Sequence, residues 1–225
     1  MQHQHILLDA DDTLWENNIY FENAIHEFLL FLNHSALQHA EIRAVLNEVE
    51  HEMGYGSANF TRSLLETYRR LAEHEFTDED LTRVRAFGET ISHHPIEVMS
   101  GVQETLAYLM PRHQLILLTK GDEEEQKLKI ENSGLTAYFS SALVVPEKDQ
   151  AVYQQLVQDL QLDPATTWMV GNSPRSDINP ALAAGLNAIY IPHPHTWQLE
   201  IQEVLHAGSG QLLQLASFTQ LQEYF

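Results

Sequence analysis

The chain of 225 residues contains no cysteine. That absence excludes a disulfide framework, a thiolate zinc site and a cysteine nucleophile. Cations are scarce too: Lys and Arg number 12 against 32 Asp and Glu, a net charge of −20. Nucleic acids and anionic membranes are met by cations, so neither is expected as a partner. No apolar run approaches the ~20 residues that cross a bilayer. The start, Met1-Gln-His-Gln-His, lacks the basic stretch and apolar stretch of a secretory leader. What is present is ordinary for a folded chain, with 44% hydrophobic residues and the length of one α/β domain or a domain with an insertion. The expectation is a soluble, cytoplasmic protein.

Short apolar runs recur: Ile6 to Leu8, Leu115 to Leu118, Ala142 to Val145, Trp168 to Val170, Ala188 to Ile191, and a weaker one at Leu212 to Leu215. Such runs suit strands buried on both faces of a parallel sheet. Helix-length amphipathic stretches separate the later ones, at Glu123 to Asn132, Gln150 to Leu160 and Asp177 to Ala184. This alternation predicts an α/β fold with a doubly wound, Rossmann-like parallel sheet. Ser217 and Gln220 are placed as a capping box for a last short helix.

Asp9 and Thr119, at the ends of the first two strands, lie much farther apart than a crossover of about a dozen residues requires. The interval reads as helical, at Ile19 to Leu32, Ala40 to Met53, Asn59 to Glu73 and Asp78 to Ile91, with a break at Gly54-Tyr55-Gly56-Ser57. The domain reading is therefore a core of residues 1–15 and 95–225, with a helical cap inserted at 16–94. Ser100-Gly101 opens a core helix through Leu109.

Ligands of open parallel sheets bind at the carboxyl ends of the strands. Those ends carry Asp9-Ala10-Asp11-Asp12-Thr13-Leu14, Thr119-Lys120-Gly121-Asp122, Pro146-Glu147-Lys148-Asp149, and Gly171-Asn172-Ser173-Pro174-Arg175-Ser176-Asp177. A carboxylate cluster repels itself unless a hard cation sits within it, and Mg²⁺ takes oxygen ligands. Such a cation can neutralise a phosphoryl oxygen. Asp9 is then a candidate nucleophile forming an aspartyl-phosphate. Asp11 can exchange a proton with the leaving oxygen and the attacking water. Thr119 and Lys148 can hold the remaining phosphoryl oxygens.

These four motifs, in this order and spacing, resemble the signature motifs of the haloacid dehalogenase superfamily, and the inserted helices resemble that family's type 1 cap. The helix at Pro180-Ala181-Leu182-Ala183-Ala184-Gly185 resembles the one after the fourth motif. The resemblance implies Asp9 as nucleophile and Asp11 as acid and base. It also implies a Mg²⁺ site formed by the Asp9 side chain, the Asp11 backbone carbonyl, and Asn172 with Asp177. Asn172 departs from the pattern, which has Asp there. It still offers a carbonyl oxygen but no charge.

The implied activity is hydrolysis of a small phosphorylated metabolite. Substrate-binding candidates are Thr119, Lys148, Lys120 and, in the cap, Tyr55, Asn59 and Arg62 around the glycine break. The plain alternatives are a turn role for Lys120 and an interhelical turn for the cap residues. Asp12 and Asp122 are read as capping or turn residues, and Asp177 as a helix cap as well as a metal ligand. The rival functions are carbon–halogen hydrolysis, against which Asp11 argues, and a phospho-acceptor or inactive regulatory relative. Of the 13 histidines, His93-His94 and His193 with His195 are the densest groups. Neither has an identifiable third ligand, and the second pair is expected at the rim of the site. Oligomeric state is left open.

Overall fold

The computed structural model describes residues 3–205 and 208–225. The first strand, β1 (His5–Leu8), has apolar side chains facing both ways, and both faces are covered. It pairs in parallel with β2 (Gln114–Lys120), Leu8 against Leu117, and with β4 (Thr167–Gly171), Leu8 against Val170. The remaining strands are β3 (Ser141–Val145), β5 (Asn187–Tyr190) and β6 (Leu212–Gln214). The sheet order is β3-β2-β1-β4-β5-β6, and every neighbouring pair is parallel. The chain thus has the doubly wound α/β fold expected from its segment order, and the order changes direction at β1. The crevice where a ligand binds is expected at such a point.

Two apolar layers sandwich the sheet. On one face Ile6, Leu8, Leu117 and Val170 pack with Val102, Leu106 and Leu109 of α5 (Val102–Leu109) and Ile130 of α6 (Glu123–Asn132). On the other, Leu7, Ile116 and Met169 pack with Tyr153 of α7 (Gln150–Asp159) and Ala181 of α8 (Asn179–Ala183).

Helix starts differ from expectation in two places. The helix expected from Asp177 begins earlier, as a π-helical turn at Pro174–Ile178 that runs into α8. Ser173 is its cap: its hydroxyl accepts the Ser176 N–H at 2.9 Å, and Pro174 follows where a missing N–H costs nothing. Asp177 is therefore inside the first turn and is not a cap. At the C-terminus a 3₁₀ helix, Phe218–Glu223, forms without a capping box. The Gln220 side chain accepts from Ala216 N–H, and the Ser217 hydroxyl pairs with Thr219.

The chain divides into two compact units, Met1–Asn18 with Ile96–Phe225, and Ile19–Pro95. The second is helical, containing α1 (Asn18–Leu32) from Ile19 on, α2 (His39–Met53), α3 (Ser57–Leu71) and α4 (Asp78–Ser92). Phe28, Ile42, Leu46, Leu64, Tyr68 and Val84 form its core. Thr77 and Asp80 make a reciprocal capping box at the start of α4. Gly88 lets α4 lie against α3, since a Cβ there would sit 2.8 Å from Thr61 Cα. Among the described residues no helix is long and apolar enough to cross a membrane.

Candidate active site

The turn after β1 sets the geometry. Asp9 N–H donates to Val170 O at 2.9 Å, extending the sheet by one residue. Asp12 takes the left-handed conformation, φ 59°, one that Asp tolerates better than most residues. The chain then folds back, so that Thr13 and Leu14 N–H both donate to Ala10 O. This brings the Thr13 hydroxyl to 2.8 Å from Asp9 Oδ2. The Asp12 carboxylate accepts the N–H groups of Asn17 and Asn18, the latter opening α1. Burial pushes its carboxyl up to about 7, those N–H groups oppose the rise, and Asp11 adds to it.

Lys148 stands between β3 and α7 and is 2% exposed. Its Nζ lies 2.5 Å from Asp9 Oδ1 and 2.8 Å from Asp177 Oδ1. Burial works against the charged ammonium, yet Asp177 and Asp9 outweigh it and raise the lysine above its usual range. Burial raises the Asp177 carboxyl, the Asp9 charge raises it further, and Lys148 counters both. Asp177 Oδ2 accepts the Ser173 N–H at 2.9 Å. The carboxylate leans over Gly171, where any Cβ would come within 2.2 Å of Oδ2. Glycine at 171 is thus a steric condition for the Asp177 position.

Asn172 Nδ2 donates to the Thr196 hydroxyl at 3.0 Å. Its Oδ1 lies 3.4 Å from Thr13 Oγ1, the hydroxyl that also donates to Asp9. A carboxylate oxygen and an amide oxygen therefore converge on one point. Asp11 is held by Trp15 Nε1 at 2.7 Å, Gln126 Nε2 at 2.9 Å and Lys129 Nζ at 2.9 and 3.0 Å. Burial works to raise its carboxyl, but Lys129 and these donors win and hold it below the usual range. Thr119, on β2, is buried, and its hydroxyl donates to Gln126 Oε1 at 3.4 Å.

Lys120 is engaged within the protein. Its ammonium meets Glu200 at 2.6 Å, Ser176 Oγ at 2.8 Å and Glu147 at 3.2 Å. It neutralises the buried Glu200, which also accepts from the hydroxyls of Ser173 and Ser176, and so braces the fourth-motif turn. The expected substrate-binding lysine is an ion-pair partner here. Tyr55, Asn59 and Arg62 belong to the Ile19–Pro95 unit, at the glycine break and the first turns of α3. There Asn59 Nδ2 donates to Tyr55 O at 2.9 Å and Arg62 to Asn59 Oδ1 at 3.2 Å.

Gln126, Lys129 and Glu200 were not singled out in the sequence. Gln126 and Lys129 are three apart and so share one face of α6, a signal that could have found them. Glu200 sits in a 3₁₀ turn with no local signature. Beside His193 the structure brings two carboxylates, without His195. Asp12, Glu16 and His193 bring ligand atoms within 4.8 Å of one another. His193 Nε2 lies 3.4 Å from Glu16 and Nδ1 3.7 Å from Asp12.

The buried lysine and its two carboxylates thus stand at the carboxyl edge of a Rossmann-like parallel sheet, where α/β proteins of this class bind their ligands. The chain belongs to the haloacid dehalogenase-like hydrolase family, which it matches over residues 3–185. It is similar to a haloacid dehalogenase-like family hydrolase from Xanthomonas campestris whose crystal structure is known. The two are 32% identical with a TM-score of 0.85, over 99% of this chain and 94% of that one. A 2-haloacid dehalogenase from Pseudomonas syringae shares the fold, with a TM-score of 0.61 and 21% identity over 99% of this chain and 97% of that one. Human N-acylneuraminate-9-phosphatase is 29% identical over 125 residues, 53% of this chain and 50% of that protein. The chain thus matches about half the length of this curated relative.

Proposed function

We propose that the protein is a Mg²⁺-dependent phosphomonoester hydrolase acting on a small phosphorylated metabolite through an aspartyl-phosphate at Asp9. The observation that carries this reading is the second carboxylate, Asp11, two residues beyond the nucleophile and held in place by three donors. Attack on carbon with loss of halide requires no such acid, whereas an alkoxide leaving group requires a proton. The named phosphatase relative is consistent with this choice. A cysteine-free chain also suits a reducing compartment, in keeping with a cytoplasmic enzyme.

In this reading an Asp9 oxygen forms a bond to phosphorus as the ester P–O bond breaks. Lys148, 2.5 Å from Asp9 Oδ1, orients the nucleophile and offers positive charge to the phosphoryl oxygens. Thr119 donates its hydroxyl to another. Asp11, once protonated from solvent as the substrate binds, gives that proton to the leaving oxygen, then takes one from the water that displaces Asp9 from phosphorus. The donor set fits a hard divalent cation. Asp9 Oδ2 and Asn172 Oδ1 both lie within 3.4 Å of one hydroxyl, and the buried Asp9 and Asp177 share Lys148 between them. Asp9, Asn172 and the Asp11 carbonyl would hold Mg²⁺, with Asp177 adding charge. Bound there, the ion would supply neutralisation of phosphoryl charge.

A panel of sugar phosphates, nucleotides and phosphoglycolate-like acids with Mg²⁺, reading free phosphate, tests the proposal. Phosphate release that disappears in Asp9→Asn is expected. Chloride release from 2-chloropropionate without Mg²⁺, and no phosphate from any ester, would replace this reading with the dehalogenase one.

A further inference from the structure

Asp11 is gripped from one side by α6. Lys129 reaches both of its oxygens, at 2.9 and 3.0 Å, and also Asn17 Oδ1 at 2.8 Å. Gln126, 5% exposed, donates its amide N–H to Asp11 at 2.9 Å and accepts the Thr119 hydroxyl at 3.4 Å with its carbonyl. One amide thus ties the proposed proton-transfer group to the proposed phosphoryl-binding hydroxyl. Two flexible side chains, three residues apart on α6, converge on a single carboxylate. Neighbouring Lys127 points outward to Glu123 and is half-exposed.

We propose that Lys129 and Gln126 are positioning residues that hold the Asp11 carboxyl group in line for proton exchange at the leaving oxygen. The proposal rests on the phosphatase reading above. It assigns these residues no contact with substrate; they act through Asp11. Orientation is where the effect should be largest, because a proton-transfer group contributes about 10²–10⁴-fold only when it is within hydrogen-bond reach.

The readout is the dependence on leaving group. The value of kcat/KM covers the steps through departure of the leaving oxygen. An alkyl oxygen requires a proton in that step, while p-nitrophenolate leaves as a stable anion. Lys129→Met and Gln126→Leu, with Lys127→Met as control and thermal unfolding as a check of folding, are assayed on two esters. One is p-nitrophenyl phosphate. The other is the sugar phosphate of the panel that the wild type turns over fastest. Expected is a fall of about 10- to 100-fold in kcat/KM on the sugar phosphate and less than about 3-fold on the aryl ester, with Asp11→Asn showing the same selectivity. Lys129→Arg, which keeps donors to Asp11, should regain most of the loss. Equal losses on both esters, or none, in folded variants overturn the inference while leaving the phosphatase reading intact. A wild type inactive on every ester overturns both.

Discussion

The Lys148 ammonium sits 2.5 Å from the Asp9 carboxylate, with both side chains closed off from solvent. The same nitrogen reaches Asp177, so one cation serves two buried anions. Removing a partner from a buried pair costs more than the pair itself contributes, because an uncompensated charge remains.

Lys148→Met should therefore damage both stability and function. Two carboxylates would face each other without a cation, at a cost of about 3–5 kcal/mol. Urea unfolding should show a correspondingly lower midpoint, and phosphate release should vanish even well below the variant's melting temperature. Wild-type stability in this variant would show that the charge is compensated elsewhere.

Asn172 offers an oxygen where a carboxylate would add charge. Asn172→Asp places one more negative charge beside Asp9 and Asp177. It should lower the Mg²⁺ concentration giving half-maximal rate, while raising KM for an anionic ester through repulsion. A metal titration at saturating substrate checks the first effect, and a substrate titration at saturating Mg²⁺ checks the second. An unchanged or raised half-maximal Mg²⁺ concentration contradicts the placement of Asn172 against the metal.

Glu50, in the Ile19–Pro95 unit, is buried, and its Oε2 has no hydrogen-bond partner among the described residues. Burial lifts its carboxyl from 4.5 to about 7, Arg43 opposing and Glu22 reinforcing the rise. Folding thus favours the protonated acid. That stabilisation is fully present below the unfolded value and is lost as pH rises through about 7, a span of at most about 3 kcal/mol. Glu50→Gln imitates the protonated state at every pH. Its stability advantage over wild type should grow between about pH 5.5 and about pH 8 in urea unfolding. A constant difference would place Glu50 in a better-solvated environment than its burial indicates.

Much of the sheet was legible because its signal is local. Leu115 to Leu118 and Trp168 to Val170 are apolar without alternation, as burial on both faces demands. Asp9, Thr119, Lys148 and Asp177 lie at or a few residues beyond the carboxyl ends of β1 to β4, which the apolar runs before them mark. Partnerships between distant segments were not legible. Nothing near Lys120 announces that Glu200 will claim it, because the pairing exists only once the turn at Gln198–Glu200 lies beside the fourth motif. Asp177 was misread as a cap because Ser173, an equally good cap, stands four residues earlier and starts the helix first. The Asp12, Glu16 and His193 group likewise joins the first turn to the segment after β5.

The most direct measurement is acid quenching of the enzyme during turnover of its best phosphomonoester with Mg²⁺, followed by mass analysis of the peptide containing Asp9. The account predicts one phosphoryl group on that peptide, located on Asp9 and absent from Asp9→Asn. A peptide that remains unmodified under rapid turnover, or a phosphoryl group on another side chain, contradicts it.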